Sequence, residues 1–182
     1  MIELWLVRHG ETPWSREGRL TGWTDLPLTS GGEDQARELG AWLSPQQFDA
    51  VFASDLQRAL GTARLAYGEP LVEPKLRELN FGELEGAAWE GLEAHHKNAL
   101  LTFDSFQAPG GESTQQLTDR LNGFLDQLEP GRYLVFTHGG PIRALLRQAG
   151  QDRLVAPCTV VALNWTLRQP LFIHGKEHTN GH

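Results

Sequence analysis

The sequence predicts an α/β fold, a three-layer α/β/α sandwich built around a mainly parallel sheet. Two observations lead to this prediction: short apolar runs recur along the chain, and segments with apolar residues at helical spacing lie between them. Strands that alternate with helices are typical of parallel sheets. No stretch rich in proline, glycine and serine divides the chain. We therefore expect a single domain over residues 1–175 and a disordered polar tail at 176–182.

Four apolar runs predict the strands. The segments 2–7, 50–53 and 133–136 are almost wholly apolar, as expected of strands that are covered on both faces. The segment 159–165, TVVALNW, is rich in β-branched residues, which favour strands.

The helices are predicted from apolar residues that recur every three or four positions. This pattern occurs in four segments, 30–43, 55–67, 113–128 and 141–149. Ser54 is the expected N-cap of the second of these helices, and Pro141 suits the first turn of the last. Residues 84–112 show no clear period, and we expect a helical excursion there with loops that could cover a site.

The bulk composition excludes several classes of protein. The chain has 182 residues, a formal net charge of −7 and a single cysteine, Cys158. The negative charge argues against a general nucleic-acid binder, and a lone cysteine forms no internal disulfide. The N-terminus has no signal-peptide pattern, and no apolar run has the length of a membrane span. We expect a cytoplasmic protein, a monomer or homodimer, without nucleic-acid or membrane partners.

Two histidines stand in the same local context. The strand at 2–7 leads into Arg8-His9-Gly10, and the strand at 133–136 leads into Thr137-His138-Gly139-Gly140. In open α/β sheets, ligands bind beyond the carboxyl ends of the strands. One such histidine alone would be an ordinary loop residue. Two in the same context predict that both imidazoles lie side by side at a binding site.

Cationic and acidic candidates accompany these histidines. Arg8 precedes His9, and Arg58 lies in the first turns of the helix expected after Ser54, so both guanidinium groups could bind phosphate oxygens. If the ligand is a phosphate monoester that is cleaved at this site, an acid is also needed, because an alcohol leaving group must be protonated as the P–O bond breaks. The candidates are Glu78, Glu83 and Glu85, and composition alone does not separate them.

The chain resembles the histidine phosphatase superfamily, which includes the cofactor-dependent phosphoglycerate mutases. LVRHGET at 6–12 is similar to the defining signature of that superfamily. Further matching segments follow in the family's order, with compatible spacing: TGWTDLPLTSGGEDQA at 21–36, ASDLQRALGTA at 53–63, RELNFGELEG at 77–86, PGGES at 109–113 and FTHGGPIRALL at 136–146. Several motifs in order are far more specific than a lone RHG. The resemblance implies a phosphoglycerate mutase-like fold.

The resemblance also implies catalytic roles. His9 would be the nucleophile that forms a phosphohistidine, and Glu78 would be the acid and base. Arg8, Arg58 and His138 would hold the phosphate oxygens, with Ser15, Thr21, Gly22 and Gly139 as substrate-binding residues. Ser15 departs from the family, which often has asparagine at that position, and a role as a loop or cap residue is the alternative. Ser113 is expected to cap the following helix.

No metal or cofactor is expected. Cys158 is not followed by the arginine of a cysteine phosphatase, and neither an Asp-x-Asp nucleophile loop nor a Walker loop is present. His174, His178 and His182 recur at helical spacing, but the glycines between them disfavour a helix, so we interpret this region as a solvated tail. Activity should survive EDTA.

The sequence is compatible with several substrates. The short stretch from Glu78 to His138 lacks a basic cluster for a second phosphate, which favours hydrolysis of a small phosphate monoester over mutase activity. Within the family, the chain looks most like the α-ribazole-5′-phosphate phosphatases of cobalamin biosynthesis. Broad-specificity sugar-phosphate phosphatases, phosphoglycerate mutases and a non-catalytic phosphate-binding module are alternatives. Trp89, Phe103 and Phe106 could form an apolar wall for an aromatic base, or could be core residues.

Overall fold

The computed structural model describes residues 1–176 and contains a six-stranded sheet. The strands are β1 Ile2–Arg8, β2 Ala50–Ala53, β3 Leu71–Val72, β4 Gly131–Thr137, β5 Val160–Asn164 and β6 Gln169–His174. The helices are α1 Pro13–Arg16, α2 Ser30–Leu43, α3 Gln57–Ala66, α4 Ala94–Thr102, α5 Thr114–Leu125 and α6 Gly139–Gln148. The predicted tail, apart from its first residue, lies outside the described residues, as do His178 and His182.

The sheet is mixed but mostly parallel, and its strand order is β3-β2-β4-β1-β5-β6. The pairs β3–β2, β2–β4 and β4–β1 are parallel, whereas β5 runs antiparallel to both β1 and β6. The predicted α/β fold with a mainly parallel sheet is confirmed. Because β2, β4 and β1 are neighbours and parallel, their carboxyl ends meet at one edge of the sheet.

Helices cover both faces of the sheet, which gives the three layers. In β1, Leu4 and Leu6 point into one core together with residues of α5 and α6. Trp5 and Val7 point into a second core together with residues of α2 and α3. This alternation follows from the two-residue period of a strand. It explains why the central strands are apolar at almost every position.

Several element boundaries differ from the predictions. The helix expected at 55–67 begins at Gln57 with Leu56 as its N-cap, so Ser54 is not the cap. The last predicted helix begins at Gly139, two residues before Pro141. Ser113 does cap α5, in a capping box with Gln116. These differences arise because backbone turns after β2 and β4 place the first helical residue, which local propensity does not determine.

The short helix α1 and the edge strand β6 have no counterpart in the sequence prediction. The strand β6 carries mostly exposed or half-exposed residues and includes Pro170, so its apolar period is weak. Its pairing with β5 shifts register between Ala162 and Leu163. None of the helices formed by residues 1–176 is long and apolar enough to cross a membrane.

Residues 84–112 contain the helix α4, a 3₁₀ turn at Trp89–Gly91 and connecting loops. Arg143 of α6 fastens this segment to the body of the protein. Its guanidinium group donates hydrogen bonds to the carbonyl oxygens of Leu100 (2.8 Å) and Leu101 (2.6 Å) and pairs with Asp152. The last turn of α4 is thereby capped by a side chain from a different element.

Candidate active site

The three central parallel strands end in polar residues at the same sheet edge. Ser54 follows β2, His138 follows β4 and His9 follows β1. The rings of His9 and His138 lie 5.1 Å apart between centroids, at an interplanar angle of 61°. The structure therefore places both histidines side by side, although they are far apart in the sequence.

The hydrogen bond of His9 defines which ring nitrogen is available. Nδ1 lies 2.7 Å from the carbonyl oxygen of Gly10, and since a carbonyl only accepts, Nδ1 carries the proton. Nε2 then presents its lone pair. Burial lowers the pKa of His9 well below its ordinary value, and the charges of Arg58 and Arg8 lower it further. His9 is consequently a neutral imidazole at neutral pH, the form that acts as a nucleophile.

Arg58 is a fully buried cation in the first turn of α3. It donates hydrogen bonds to the carbonyl oxygens of Thr24 (2.9 Å) and Gly22 (2.6 Å). Burial lowers its pKa to about 10, although the carboxylates of Glu78, Glu85 and Asp25 act in the opposite direction. The guanidinium group still carries its positive charge at neutral pH.

Three buried side-chain nitrogens within residues 1–176 lack a hydrogen-bond partner, and all three belong to residues of this site. They are Arg8 Nε, Arg58 Nε and His138 Nδ1. Arg8 is held by a bond from Nη1 to the carbonyl oxygen of Val155. His138 contacts Ser54 Oγ through Nε2 at 2.8 Å, so either tautomer leaves Nδ1 unpaired. Buried unsatisfied polar groups are rare, and grouped guanidinium nitrogens suit an anionic ligand.

Glu78 faces the same site from the loop that precedes the 84–112 segment. Its carboxylate accepts hydrogen bonds from the backbone N–H groups of Leu79 (2.7 Å) and Gly140 (3.1 Å). Burial raises the pKa of Glu78 above its ordinary value, while these two bonds and the charges of Arg58 and Arg8 limit the rise. The pKa of Glu78 is therefore raised by the protein itself, before the negative charge of any bound anion is added.

The structure separates the three acidic candidates. Glu78 lines the cavity, whereas Glu83 and Glu85 do not. One carboxylate oxygen of Glu85 accepts hydrogen bonds from the backbone N–H groups of Gly22 (2.6 Å) and Thr24 (3.0 Å). The carbonyl oxygens of these two residues in turn hold Arg58. Glu85 therefore fixes the loop that orients Arg58 and is not itself placed to protonate a ligand.

The remaining predicted contacts take different positions. Thr21, Ser15 and Gly139 line the cavity, while Gly22 contributes a carbonyl oxygen to Arg58 instead. The Ser15 hydroxyl forms a capping box with Thr12 at the start of α1, accepting from its N–H and donating to its carbonyl oxygen. This geometry favours the alternative in which Ser15 is a cap residue.

A cavity of about 800 Å³ opens above these groups. We call its polar end the floor. Arg8, His9, Glu78, Gly139 and Gly140 line it, and the fully buried Arg58 and His138 complete it. We call its apolar side the wall: Leu20, Phe81, Trp89, Leu101 and Phe103. Of the three aromatic residues singled out in the sequence, Trp89 and Phe103 line the cavity, and Phe103 also belongs to the buried core. Phe106 is a core residue that does not line the cavity.

Basic residues from three distant parts of the chain also line the cavity. They are Arg16 and Arg19, Arg153, and Lys176. Arg19 pairs with the carboxylate of Glu17 at 2.8 Å, so its charge is partly compensated. The local potential at the opening therefore favours anions even though the chain as a whole is acidic.

Two hydroxyl groups with supporting roles were missed from the sequence. Ser54 contacts His138, as described above, and Thr62 joins two parts of the floor. The Thr62 hydroxyl accepts a hydrogen bond from Gly10 N–H (2.9 Å) and donates one to the carbonyl oxygen of Arg58 (2.7 Å). Ser54 could have been found by the rule that identified the histidines, because it directly follows a buried parallel strand.

One group of side chains among the described residues could hold a metal ion. Glu93, His95 and His96 come together at the start of α4, where they are largely exposed, and none of them lines the cavity. His174, the first of the three regularly spaced C-terminal histidines, stacks on Trp42 with ring centroids 3.8 Å apart. The floor itself presents guanidinium and imidazole groups with one carboxylate, which is a donor set for an anion.

Comparisons with known proteins give consistent matches. A family model described as histidine phosphatase superfamily (branch 1) matches residues 4–170. The uncharacterized phosphatase PhoE of Bacillus subtilis is 35% identical over 173 residues, which cover 87% of this chain and 86% of PhoE. Phosphoglycerate mutase-like protein 4 of Arabidopsis thaliana is 34% identical over 81% of this chain and 70% of its own length. A crystal structure described as phosphoglycerate mutase from Thermus thermophilus has 51% identity and a TM-score of 0.90, over 96% of this chain and 99% of that one.

Proposed function

Because this chain belongs to branch 1 of the histidine phosphatase superfamily, we propose that it is a phosphatase that hydrolyses phosphomonoesters through a phosphohistidine formed on His9. The observation that carries the proposal is the position of a neutral imidazole among unpaired guanidinium nitrogens at the cavity floor. A phosphoryl group needs a nucleophile in line with the leaving oxygen and fixed positive charge around its other oxygens. The floor provides both.

In the first step, His9 Nε2 attacks phosphorus and the P–O bond to the leaving alcohol breaks. Arg8, Arg58 and His138 bind the remaining phosphate oxygens, whose negative charge is matched by donors that are already in place. Glu78 gives its proton to the leaving oxygen. The raised pKa of Glu78 favours the protonated carboxyl group that this step requires.

In the second step, water replaces the alcohol and attacks the phosphohistidine. The Glu78 carboxylate takes a proton from this water as the N–P bond breaks, which returns both His9 and Glu78 to their starting states. Splitting the hydrolysis into two displacements on one phosphorus is covalent catalysis. No step in this scheme requires a metal ion.

Hydrolysis is preferred over transfer of the phosphoryl group between two hydroxyls. The lysine and arginines between Glu78 and His138 are Lys97, Arg120 and Arg132, and none of them lines the cavity. That stretch instead contributes apolar residues to the wall. A mutase would have to hold its second phosphate with basic residues from other parts of the cavity lining. The alternative, a phosphoglycerate mutase, is supported by the names of several relatives.

For the substrate, we favour α-ribazole-5′-phosphate, with sugar phosphates as the alternative. The cavity is much larger than a phosphate group, and its wall presents the aromatic rings of Phe81, Trp89 and Phe103. An aromatic base attached to a ribose phosphate could pack on these rings while its phosphate reaches the floor. A compact sugar phosphate would leave most of the wall without contact.

A direct test is hydrolysis of p-nitrophenyl phosphate by the wild type and the His9→Ala variant, with EDTA in the assay. We expect the wild type to be active and the variant to lose about 10⁴-fold or more in kcat, since the covalent intermediate cannot form. Equal rates in the two proteins would refute the phosphatase mechanism. A loss of wild-type activity in EDTA that a divalent ion restores would refute metal independence.

The wild-type protein is also used to test which substrate is preferred. Comparison of kcat/KM for α-ribazole-5′-phosphate, several sugar phosphates and 3-phosphoglycerate ranks the three possibilities. Preference for a compact sugar phosphate would overturn the α-ribazole proposal but not the phosphatase mechanism. Isomerisation of phosphoglycerate that depends on a bisphosphate would support the mutase alternative.

A further inference from the structure

A salt bridge lies against the backbone of Glu78, outside the cavity lining. Arg120 of α5 pairs with Glu112, with 2.8 Å between Arg120 Nε and Glu112 Oε1. Both side chains are largely buried, with 17% and 16% of their surfaces exposed. Neither residue lines the cavity, so this ion pair has no direct contact with a ligand there.

The pair holds the backbone that carries Glu78. The guanidinium group of Arg120 donates to the carbonyl oxygens of Lys75 (2.6 Å) and Glu78 itself (2.7 Å). Glu112 accepts from the N–H of Asn80 at 2.8 Å, and its own N–H donates to the carbonyl oxygen of Asn80 at 2.9 Å. The chain is thus fixed on both sides of the acidic residue.

The hydrogen bonds from Arg120 and Glu112 take the place of those that a helix or a strand would provide for this segment. Residues 77–81 belong to no helix or strand and lie between 3₁₀ turns at Pro74–Leu76 and Gly82–Leu84. Backbone without a helix or a ladder is held only by the hydrogen bonds that other residues offer. The carboxylate of Glu78 must also stay within bonding distance of Gly140 N–H. Small displacements of this segment would therefore move the carboxyl group away from the leaving oxygen.

We propose that Arg120 and Glu112 form a positioning pair that fixes the proton-donating carboxyl group of Glu78 for the departure of the leaving group. The inference rests on the proposed function, in which Glu78 protonates the leaving oxygen. As the P–O bond breaks, the bonding electrons pass to the leaving oxygen and the Glu78 proton joins that oxygen. Arg120 and Glu112 neither gain nor lose a proton, and act only through the position of Glu78.

The leaving group offers a readout that general destabilisation would not move. A p-nitrophenolate departs with little need for a proton, whereas a benzyl alkoxide is a very poor leaving group without one. Loss of proton donation therefore slows benzyl phosphate much more than p-nitrophenyl phosphate. A variant that simply folds less well lowers the rate of both substrates by the same factor.

The experiment measures kcat/KM for these two substrates with Arg120→Met, Arg120→Lys and Glu112→Gln. For Arg120→Met we expect kcat/KM to fall by about 30-fold with benzyl phosphate and by at most about 3-fold with p-nitrophenyl phosphate. The loss with benzyl phosphate is part of the rate enhancement that a correctly positioned acid supplies. Arg120→Lys keeps the charge, which also acts on the nearby His138, but loses the planar fork. It should therefore show an intermediate, still selective loss. If Arg120→Met does not fold, the other two variants carry the same test.

Arg132 provides a matched control. It also joins a carboxylate, Glu3, to a backbone carbonyl, that of Gln47, but it lies at the amino end of β4, opposite the cavity. Arg132→Met should lower thermal stability and leave the ratio of the two substrates unchanged. Selective loss in Arg132→Met would mean that the ratio reports stability, and would overturn the inference.

Variants made in the Glu78→Gln protein test the inference separately from the proposed function. Glu78→Gln should itself lose benzyl phosphate selectively, and adding Arg120→Met to it should change the ratio no further. If Glu78→Gln lowers both substrates equally, the assignment of Glu78 as the acid fails. If Glu78→Gln is selective but the Arg120 and Glu112 variants are not, only the positioning pair fails.

Discussion

The floor and the wall of the cavity are built in different ways. The floor comes from the ends of β1 and β4, the first turn of α3 and one loop carboxylate. Its side chains are tied to the backbone by hydrogen bonds shorter than about 3.2 Å, the ordinary N–H···O range. The wall comes mainly from residues 81–103, which follow no sheet edge and contribute apolar side chains. The floor side chains are therefore held in one defined geometry, whereas the wall is an apolar surface that limits the shape of the ligand.

This difference assigns different parts of the function to the two regions. Fixed donors and a nucleophile determine which bond is broken, because they match charge that develops on the phosphate in the transition state. Apolar contacts determine which leaving group is bound, with modest energies for each contact. Substitutions of the phosphate-binding groups in the floor should reduce activity with every phosphate monoester. Substitutions in the wall should change the preference among them.

Among the groups that bind the phosphate without reacting with it, the largest effect is expected for Arg58→Met, which removes a buried charge from the floor. We expect kcat to fall by about 10²–10³-fold with every substrate, as for other preorganised donors to a transition state. Arg64→Met is the matched control on the same helix, because Arg64 is exposed and pairs with Glu69 at the surface. Steady-state rates with a small and a bulky phosphate ester test this. A loss confined to the bulky ester would place Arg58 with the wall.

Gly140→Ala should have the next largest effect. A Cβ atom at this position would lie 2.0 Å from Glu78 Oε1, so the carboxyl group would have to move. We expect about 10²-fold loss with poor leaving groups, because the acid would be displaced. Gly123→Ala in α5 is the control, since a Cβ atom there meets nothing within 4 Å. Unchanged hydrolysis of benzyl phosphate by Gly140→Ala would contradict the role of Glu78.

The pH profile should reflect the two titrating groups of the floor. The lowered pKa of His9 keeps the nucleophile neutral until acid pH, so activity is lost as pH falls through that pKa. The raised pKa of Glu78 keeps the acid protonated further toward neutrality, and activity falls by up to about tenfold per pH unit above it. We expect an acid-to-neutral optimum for kcat with benzyl phosphate. Glu78→Gln should flatten the alkaline limb, and an alkaline optimum would contradict this assignment.

The smallest effect is expected for the wall. Trp89→Ala should lower kcat/KM for a bulky aromatic phosphate ester by about 5-fold, near the value of one aromatic contact. A small alkyl phosphate should be hydrolysed at an unchanged rate. Leu71→Ala, at an exposed position of the edge strand β3, is the control for a surface apolar change. Equal losses with both esters would show that Trp89 supports the floor as well.

The contrast between floor and wall also explains which residues of the site can be predicted from the sequence. His9 and His138 follow buried apolar strands, and sheet topology then brings such residues to one edge. The parallel order of β2, β4 and β1 is a general outcome for alternating strands and helices. The α/β fold and its mainly parallel sheet could therefore be inferred from local patterns. Resemblance to a family was needed only to choose roles for these residues.

Other residues could not be placed from local patterns alone, because their positions depend on irregular backbone, and only the family resemblance selected Glu78 as the acid. Glu78, Glu83 and Glu85 are similar in the sequence, and only the turns between residues 77 and 86 decide which carboxylate faces the cavity. Arg120 and Glu112 meet the Glu78 segment through tertiary packing, which leaves no periodic signal. The edge strand β6 lacks a buried face, so its pattern is weak.

The most direct test of the mechanism is to trap the phosphorylated enzyme. Wild-type protein and the His9→Ala variant would be mixed with a phosphate ester, quenched in alkali within milliseconds and digested for mass spectrometry. Phosphohistidine survives alkali, so the wild type should carry a phosphoryl group on the peptide that contains His9, and the variant should carry none there. Phosphorylation of another residue, or turnover of the wild type without any trapped phosphohistidine, would contradict His9 as the nucleophile.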